Sequence, residues 1–285
     1  EKTIFEYEDI KGEALAVPVS NINPYLVDAP DLVLEKRNQP ICIVPTISYG
    51  SMANDDGHLL LDKEQRNALI AAEPATAPYI RRYMGAQEFL NNAERWCLWL
   101  KDISPSLMRS SNELRHRIEA VRKFRASSNR EATRNLAATP SLFGEDRQPL
   151  KSYLLLPKVS SENRPYMPIG FMPSEVIANG SALTISDSGH YEMGVLQSKM
   201  HMAWMRAVAG RMKSDYQYSA QIVYNNFPWP DLPEKLEPNQ PQTPTHKAQA
   251  AIEKAAQAVL DARAQFPGSS LADLYDPLTM PPALL

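Results

Sequence analysis

The sequence is poor in the residues that build metal sites and disulfides. Its 285 residues include two cysteines and five histidines, and none of them is spaced as metal ligands usually are. We therefore predict no metal site. Cys42 and Cys97 each lie in an apolar stretch, which favours free, buried thiols in a reducing compartment.

The sequence also lacks the signals of secretion and membrane insertion. Its apolar runs are shorter than the roughly 20 residues that a membrane-spanning helix needs. The acidic start, EKTIFEYEDIKGEALAV, has no basic-then-apolar signal pattern. These features predict a cytoplasmic protein with no membrane partner. The first residue is Glu1 rather than Met, which indicates a fragment of a longer chain.

Signatures of a self-contained enzyme are missing as well. The sequence contains no phosphate-binding loop, no GxSxG elbow and no GxGxxG motif after a predicted strand. Its acidic residues form no cluster typical of a nuclease or a glycosidase. An enzyme of this size usually shows one such signature, so the sequence favours a binding domain over a free-standing enzyme.

Charge is distributed unevenly along the chain. The formal net charge is −3, but the first 35 residues hold eight acidic against two basic residues, and residues 231–285 hold seven against four. The centre, residues 36–230, holds 24 basic against 18 acidic residues. A basic centre between acidic flanks suggests a surface that faces a polyanion, although the surplus is small.

Hydrophobic periodicity and turn residues predict a mixture of strands and helices. Residues 1–50 favour extended segments broken by prolines, and ERWCLWL at 94–100 is apolar on both faces, like a buried strand. Helices are predicted after a capping box at Asp62, over 110–125, and over 191–212. Short strands are predicted in SYLLLPKVS, RPYMPIGF and SALTIS.

These elements predict an α+β fold, a mixed sheet with packed helices, followed by a C-terminal helix. We divide the chain into a domain at 1–230, a proline-rich linker at 231–244, and a C-terminal docking helix and tail at 245–285. Six prolines between Pro228 and Pro244 indicate the linker. The helix after it has a face of small residues that cannot support itself, so we expect it to dock on another part of the protein. That face comprises Ala248, Ile252, Ala255, Val259 and Ala262.

The strongest local feature is a basic segment at 109–134, RSSNELRHRIEAVRKFRASSNREATR. It contains eight Lys or Arg residues against three Glu. Apolar positions recur at helical spacing, at Leu114, Ile118, Val121 and then Phe124 or Arg125. Arg and Lys neutralise phosphates, and the Ser and Asn residues at 127–129 donate short hydrogen bonds, so the mixture suits a DNA backbone. A solvated helix face is the alternative interpretation.

A second candidate is KVSSENRPY at 158–166, which follows an apolar strand. Glu162 and Arg164 are two residues apart, so in an extended segment both side chains project to the same side. Arg donates well to guanine in the major groove, and Glu accepts from the cytosine amino group, so the pair would read one C·G pair. A surface ion pair that contributes little stability is the alternative.

Several longer stretches together resemble a known family. They are GSMANDDGHLLL, IEAVRKFRASSNREATRNLAATP, YMPIGF, SKMHMAWMRAVAGRMKSDYQYSAQIVYNNFPWP and DARAQFPGSSLADLYDPLTMPPALL. These stretches resemble the C-terminal part of MmeI-like proteins, which are type IIL restriction-modification enzymes and adenine-specific DNA methyltransferases. In that family a nuclease, a helical connector and a methyltransferase domain precede a target recognition domain and a short C-terminal region. The resemblance covers nearly the whole chain and implies that it comprises the last two parts of such a protein from a prokaryote.

The resemblance implies a methyltransferase domain elsewhere in the same polypeptide. Such a domain carries a glycine-rich S-adenosylmethionine loop and an Asn-Pro-Pro-aromatic motif, and neither is in this sequence. The stretch YNNFPWP at 224–230 has similar residues, but their order does not let an Asn grip a target base. We therefore expect no catalytic residue and no cofactor in this chain, and S-adenosyl-L-methionine in the parent enzyme. Phe227 and Trp229 are expected at a seam between the recognition and methyltransferase domains.

In this family, pairs of variable residues in the recognition domain read the DNA sequence. We match those pairs to Glu162 with Arg164 and to Asn129 with Arg130. Phosphate contacts are assigned to Arg115, Arg122, Lys123, Arg125, Arg134, Lys158 and Ser160. The expected function is sequence-specific recognition of double-stranded DNA for an adenine methyltransferase, many of whose relatives are also endonucleases. A protein–protein interaction module with no nucleic-acid role is the alternative.

Overall fold

The structure, a computed structural model, describes residues 2–7, 11–231 and 243–284. Its strands are β1 (Lys2–Glu6), β2 (Leu15–Val19), β3 (Ile47–Tyr49), β4 (Leu60–Leu61), β5 (Ile80–Met84), β6 (Trp96–Leu98), β7 (Tyr153–Pro157), β8 (Val159–Ser160), β9 (Gly170–Met172), β10 (Ile177–Ala178), β11 (Ala182–Ser186), β12 (Gly210–Met212) and β13 (Asp215–Gln217). Its α-helices are α1 (Lys63–Ala72), α2 (Ala86–Asn91), α3 (Pro105–Ser110), α4 (Asn112–Ala126), α5 (Glu131–Asn135), α6 (His190–Leu196), α7 (Lys199–Val208), α8 (Pro244–Ala264) and α9 (Leu271–Tyr275).

The strands form four small sheets. Their orders are β1-β2, β10-β5-β6-β4, β3-β11-β7-β9 and β12-β13-β8. Strands β10 and β5 run parallel, while the other pairs of described strands are antiparallel. Helices pack on these sheets, one of which is mixed, and a C-terminal helix follows, so the predicted α+β fold is confirmed.

Strand β7 separates two hydrophobic cores. Its residues alternate in direction, as in any strand. Leu154 and Leu156 join the largest core, together with α6 and α7, whereas Tyr153 and Leu155 join a smaller cluster with Phe89. A further core forms around β4, β6 and α4. Burial on both faces explains why β7 reads as an almost continuous apolar run.

The prediction of a single helix over 191–212 is wrong, because α6 ends at Leu196 and a second helix, α7, begins at Lys199. Ser198 caps α7 by accepting a hydrogen bond from the His201 N–H at 3.1 Å. The Gln197 side chain turns inward and donates to the Met167 carbonyl at 2.9 Å. Residues 210–212 then form β12 rather than a helical turn.

The C-terminal helix α8 docks on α6, as expected of a helix with such a small apolar face. A Cβ atom added to Gly194 would lie 2.6 Å from Cγ2 of Ile252, so the two helices touch at this glycine. The docking face differs from the predicted one. Ala256 is buried and Ile252 and Leu260 pack against the core, whereas Ala248, Ala255 and Val259 are exposed. Most of the predicted linker at 231–244 lies outside the described residues.

The stretch YNNFPWP belongs to the core of this chain. Phe227 is 2% exposed and Trp229 is 5% exposed, and their ring centroids lie 5.8 Å apart. The prediction that they line a seam with a methyltransferase domain is therefore wrong, because both rings are already covered within this chain. The prolines beside them let the backbone place both aromatics inward.

The two asparagines of this stretch hold a distant, extended segment. Asn225 Nδ2 donates to the Arg37 carbonyl at 2.7 Å, and Asn226 Nδ2 donates to the Glu35 carbonyl at 3.0 Å. Arg37 Nε donates back to Asn226 Oδ1 at 2.9 Å, and the Ile41 N–H donates to the Asn225 carbonyl at 2.9 Å. These bonds supply the backbone groups of 35–41 with partners that a sheet would otherwise provide.

The described residues include no helix with the length and apolar character needed to span a bilayer.

Candidate nucleic-acid interface

Helix α4 carries most of the basic segment, and its apolar face packs into the protein. Its buried face comprises Leu114, Ile118 and Val121, in the spacing that the sequence predicted. Ser111 caps its first turn by accepting from the Leu114 N–H at 3.0 Å. The Glu73 carboxylate accepts from the Asn112 N–H at 3.0 Å and from the Ser111 hydroxyl. A carboxylate at a helix N-terminus is favourable because it faces unpaired N–H groups.

The opposite face of α4 and the start of α5 carry exposed cations. Arg122 lies 3.6 Å from Glu119, in a loose ion pair. On α4, α5 and the turn between them, Arg115, Lys123, Arg130 and Arg134 are also exposed, and none of these four forms an ion pair with a carboxylate of the described residues. Four of the predicted phosphate residues therefore lie on one exposed, positively charged surface. We name this surface, Arg115, Arg122, Lys123, Arg130 and Arg134, the α4–α5 face.

The turn between α4 and α5 places Asn129 and Arg130 at the surface, and both are exposed. The Arg130 N–H donates to the Ser128 hydroxyl at 3.2 Å, and Arg134 Nη1 donates to the Ser128 carbonyl at 2.9 Å. These bonds fix the turn from both sides. Asn129 and Arg130, the two residues predicted to read bases, thus lie on a hydrogen-bonded turn that follows α4.

The prediction that Arg125 contacts phosphate is wrong. Arg125 is fully buried, and its guanidinium donates to five backbone carbonyls at 2.7–3.0 Å. The acceptors are Ala53, Asn54, Leu136, Thr139 and Leu142. Burial lowers the pKa of Arg125, while the nearby Asp55 carboxylate opposes this change. Arg125 holds two loops together behind the α4–α5 face.

The segment with Glu162 and Arg164 is a turn, not the extended stretch that we predicted. The Arg164 N–H donates to the Ser161 carbonyl at 3.2 Å, which closes a β-turn. Glu162 is exposed at the turn, whereas Arg164 is half-buried. Burial lowers the pKa of Arg164, and the Asp276 and Asp215 carboxylates oppose this. The two side chains therefore differ in environment and are not equivalent members of one exposed row.

Of the two predicted phosphate residues beside this turn, only Lys158 reaches solvent. Ser160 is 2% exposed and lies in β8 opposite Tyr216, so its assignment to phosphate is wrong. Lys158 is half-buried, and its Nζ lies 5.1 Å from the centroid of the Tyr49 ring. Arg147 lies over the same ring, with Cζ at 5.9 Å from the centroid. Sequence reasoning missed Tyr49 and Arg147, because only tertiary contacts bring them to Lys158.

Strongly shifted pKa values lie in the cores instead. Burial lowers the pKa of His201 to about 3, and burial raises the pKa of Tyr218 well above its ordinary value. The two rings share a buried hydrogen bond of 2.9 Å between Nε2 and the hydroxyl. Burial alone accounts for the pKa of His201, whereas the nearby Tyr224 adds to the effect of burial on the pKa of Tyr218. Among the described residues, no group of three His, Cys, Asp or Glu side chains is placed to hold a metal ion.

Comparisons with known proteins match the chain from near its beginning to its end. Residues 28–231 match the family "MmeI, target recognition domain", and residues 244–285 match "MmeI, C-terminal domain". A curated relative, DNA methyltransferase A of Bacillus subtilis (strain 168), is 36% identical over 263 residues, which are 92% of this chain and 28% of that protein.

A solved structure shares the fold. The type IIL restriction-modification enzyme MmeI in complex with DNA superposes with a TM-score of 0.90 at 44% identity, over 99% of this chain and 36% of that one. The chain thus spans about a third of the length of these relatives. The resemblance seen in the sequence is confirmed: the chain belongs to the MmeI family and comprises its target recognition domain and its C-terminal domain.

Proposed function

We propose that this chain recognises a specific sequence in double-stranded DNA and holds the duplex for an adenine methyltransferase domain of the same polypeptide. The observation that carries the proposal is the α4–α5 face, an exposed surface on which four of the five cations have no carboxylate partner among the described residues, on a chain of the target recognition family. Such cations release counterions from phosphates and supply sequence-independent affinity. The hydrogen-bonded turn with Asn129 and Arg130 adds donors that suit base edges.

The parent enzyme would supply the chemistry. We propose that it is an adenine-specific DNA methyltransferase of a cytoplasmic restriction-modification system, that it binds S-adenosyl-L-methionine outside this chain, and that it extrudes the target adenine for methylation. Endonuclease activity of the parent is a further proposal. The division into a recognition domain at 1–230, a linker at 231–244 and a C-terminal helix and tail at 245–285 stays a prediction.

Salt-dependent binding of the intact protein to duplex DNA tests the function. We expect retention on heparin and binding to short duplexes that weakens steeply as salt increases. A preferred sequence selected from random duplexes would show the recognition role. Retention on heparin without binding to any duplex would instead favour a protein–protein module with an acidic partner.

Lys123→Ala is expected to weaken binding to all duplexes about equally and to lower the slope of the logarithm of affinity against the logarithm of salt by about one unit. The reason is that an exposed lysine without a carboxylate partner contacts phosphates, which carry no sequence information. Lys254→Ala is the matched control, because Lys254 is an exposed lysine on α8, away from this surface. An unchanged slope for Lys123→Ala would remove this residue from the interface.

Glu162→Lys is expected to change the recognised base rather than abolish binding, at a cost of about 1–3 kcal/mol on the original site, because Glu162 is exposed at the turn. Arg164 is left unchanged in this test, because it is half-buried near the Asp215 and Asp276 carboxylates, which an introduced carboxylate would repel. Glu175→Lys, on another exposed turn, is the control. Selection from random duplexes measures the preference, and an unaltered preferred sequence would reject this role for Glu162.

A further inference from the structure

Residues 49–54 connect the two groups of candidate DNA-contacting residues. At one end, Tyr49 lies beside Lys158, close to β8 and the turn that carries Glu162. At the other end, the Asn54 carbonyl accepts from Arg125 Nε at 2.9 Å, and Arg125 also binds the Leu136 carbonyl just after α5. The segment therefore lies between these groups, and Met52 is its exposed residue. In the sequence it stands out only through the resemblance of GSMANDDGHLLL to the family.

The backbone of this segment is held along its length. The Ser51 N–H donates to the Ala178 carbonyl at 2.7 Å. Met52 exchanges two backbone hydrogen bonds of 3.0 Å with Glu145, and the Ala53 carbonyl accepts from Arg125 Nη2 at 2.8 Å. Because the backbone of such a segment is already fixed, little backbone conformational entropy is lost when a ligand binds. The exposed side chain of Met52 thus stands on a backbone that is held by hydrogen bonds.

Met52 is a large apolar side chain in a polar setting. It is 42% exposed. Its side chain lies over Gly180, where a Cβ atom would come within 3.1 Å of Met52 Cγ. A single exposed methionine is common on protein surfaces. This one follows Ser51, whose hydroxyl accepts from the Arg147 N–H at 3.0 Å. Apolar side chains near phosphate-binding cations suit the thymine methyl and base edges of a groove.

Two cations lie around the Tyr49 ring, at the start of the same segment. Lys158 and Arg147 both lie within 6 Å of the Tyr49 ring centroid, at 5.1 and 5.9 Å. The Arg147 N–H donates to the Ser51 hydroxyl at 3.0 Å, which ties Arg147 to the same segment. Glu145 pairs with Arg147 and offsets part of its charge. Lys158 forms no ion pair with any carboxylate of the described residues, so it is the stronger phosphate ligand.

We propose that the Tyr49 patch, defined by Tyr49, Met52, Arg147 and Lys158, is a third DNA-contacting element, besides the α4–α5 face and the turn at Glu162. Lys158 and Arg147 bind phosphates, the Tyr49 ring positions their charged groups, and Met52 contacts base edges. Its ligand is the same duplex that the recognition domain holds, so the inference rests on the proposed function. It adds a sequence-reading side chain that has no charge.

Binding of the intact protein to two probes tests the patch. The first probe is a pool of random-sequence duplexes, and the second is the sequence selected from that pool by the unaltered protein. Arg147→Gln with Lys158→Gln should lower the salt slope by about two on both probes. Met52→Ala should weaken binding to the selected sequence by roughly fivefold, which is the loss of a modest apolar contact, and leave the random pool unchanged.

Matched variants separate these effects from damage to the fold. Lys254→Gln and Met200→Ala replace exposed residues of the same types elsewhere and should leave both probes unaffected. Met52→Leu keeps an apolar side chain and should restore most of the affinity. Normal duplex binding by the Met52 and double variants would overturn the patch but leave the proposed function standing. Failure of the unaltered protein to bind either probe would overturn both.

Discussion

Replacing Arg125 with Met is expected to lower the free energy of unfolding by about 3–5 kcal/mol. The side chain is fully buried and donates to five backbone carbonyls in two loops, at 53–54 and 136–142. Met fills a similar volume but donates nothing, so these buried carbonyls lose their partner. Part of the loss is offset because the buried guanidinium itself was costly to remove from water.

Denaturant unfolding followed by circular dichroism measures this loss. Arg122→Met is the matched control, because Arg122 lies on the same helix with a side chain 56% exposed, and its replacement should change stability by less than about 0.5 kcal/mol. Arg125→Lys should remain strongly destabilised, since one ammonium group cannot reach five acceptors in a planar fan. Equal stability of Arg125→Met and Arg122→Met would mean that the five hydrogen bonds contribute nothing net.

Gly194→Ala is expected to destabilise the protein by about 1–3 kcal/mol, although alanine is the better helix former. In an exposed helix interior the same change would stabilise by about 1 kcal/mol. Here the new Cβ would lie 2.6 Å from Ile252 Cγ2 and 3.0 Å from the Ile252 carbonyl oxygen. Since α8 meets α6 at this point, the clash must separate the two helices or shift one of them.

The sign of the effect makes this test decisive. Gly268→Ala is the control, because a Cβ there meets nothing within 4 Å, and thermal unfolding should show little change. Adding Ile252→Ala to Gly194→Ala removes the Cγ2 contact but not the backbone contact, so the double variant should lose less stability than the sum of the two single losses. Hydrogen exchange in α8 should rise in Gly194→Ala, and a stabilised Gly194→Ala variant would contradict close docking.

The local features of the site were predictable, and the tertiary ones were not. Helical spacing located α4 and its apolar face, and it already placed either Phe124 or Arg125 on that face. The sequence could not decide between them, because a buried arginine is stable only when distant carbonyls converge on it. Charge alone therefore suggested a phosphate ligand. The capping box at Asp62 was local and was confirmed, with Gln65 as its partner.

Features that depend on pairing between distant residues left no pattern in the sequence. Tyr49, Arg147 and Lys158 come together only because segments about a hundred residues apart meet at one sheet edge. The turn at 161–164 has a proline after it, yet the apolar strand before it favoured an extended continuation. The break at Gln197 was only partly hidden, since Ser198 is a local helix cap, whereas the bonds from Gln197 Nε2 to the Met167 carbonyl and to the Tyr275 hydroxyl, 2.9 and 2.8 Å long, join residues far apart in sequence.

The bonds from Asn225 and Asn226 to residues 35–41 have a consequence for how the domain can be exchanged. They bring residues 35–41, near the start of the part that matches the target recognition domain at 28–231, beside residues near its end, although Asn225 and Arg37 are 188 positions apart in sequence. Entry and exit at one place are typical of modules that tolerate insertion into another protein. If residues 35–230 were transferred to a related protein, the hydrogen bonds between 35–41 and 225–226 would move with them. The two points of attachment to the host would then lie side by side.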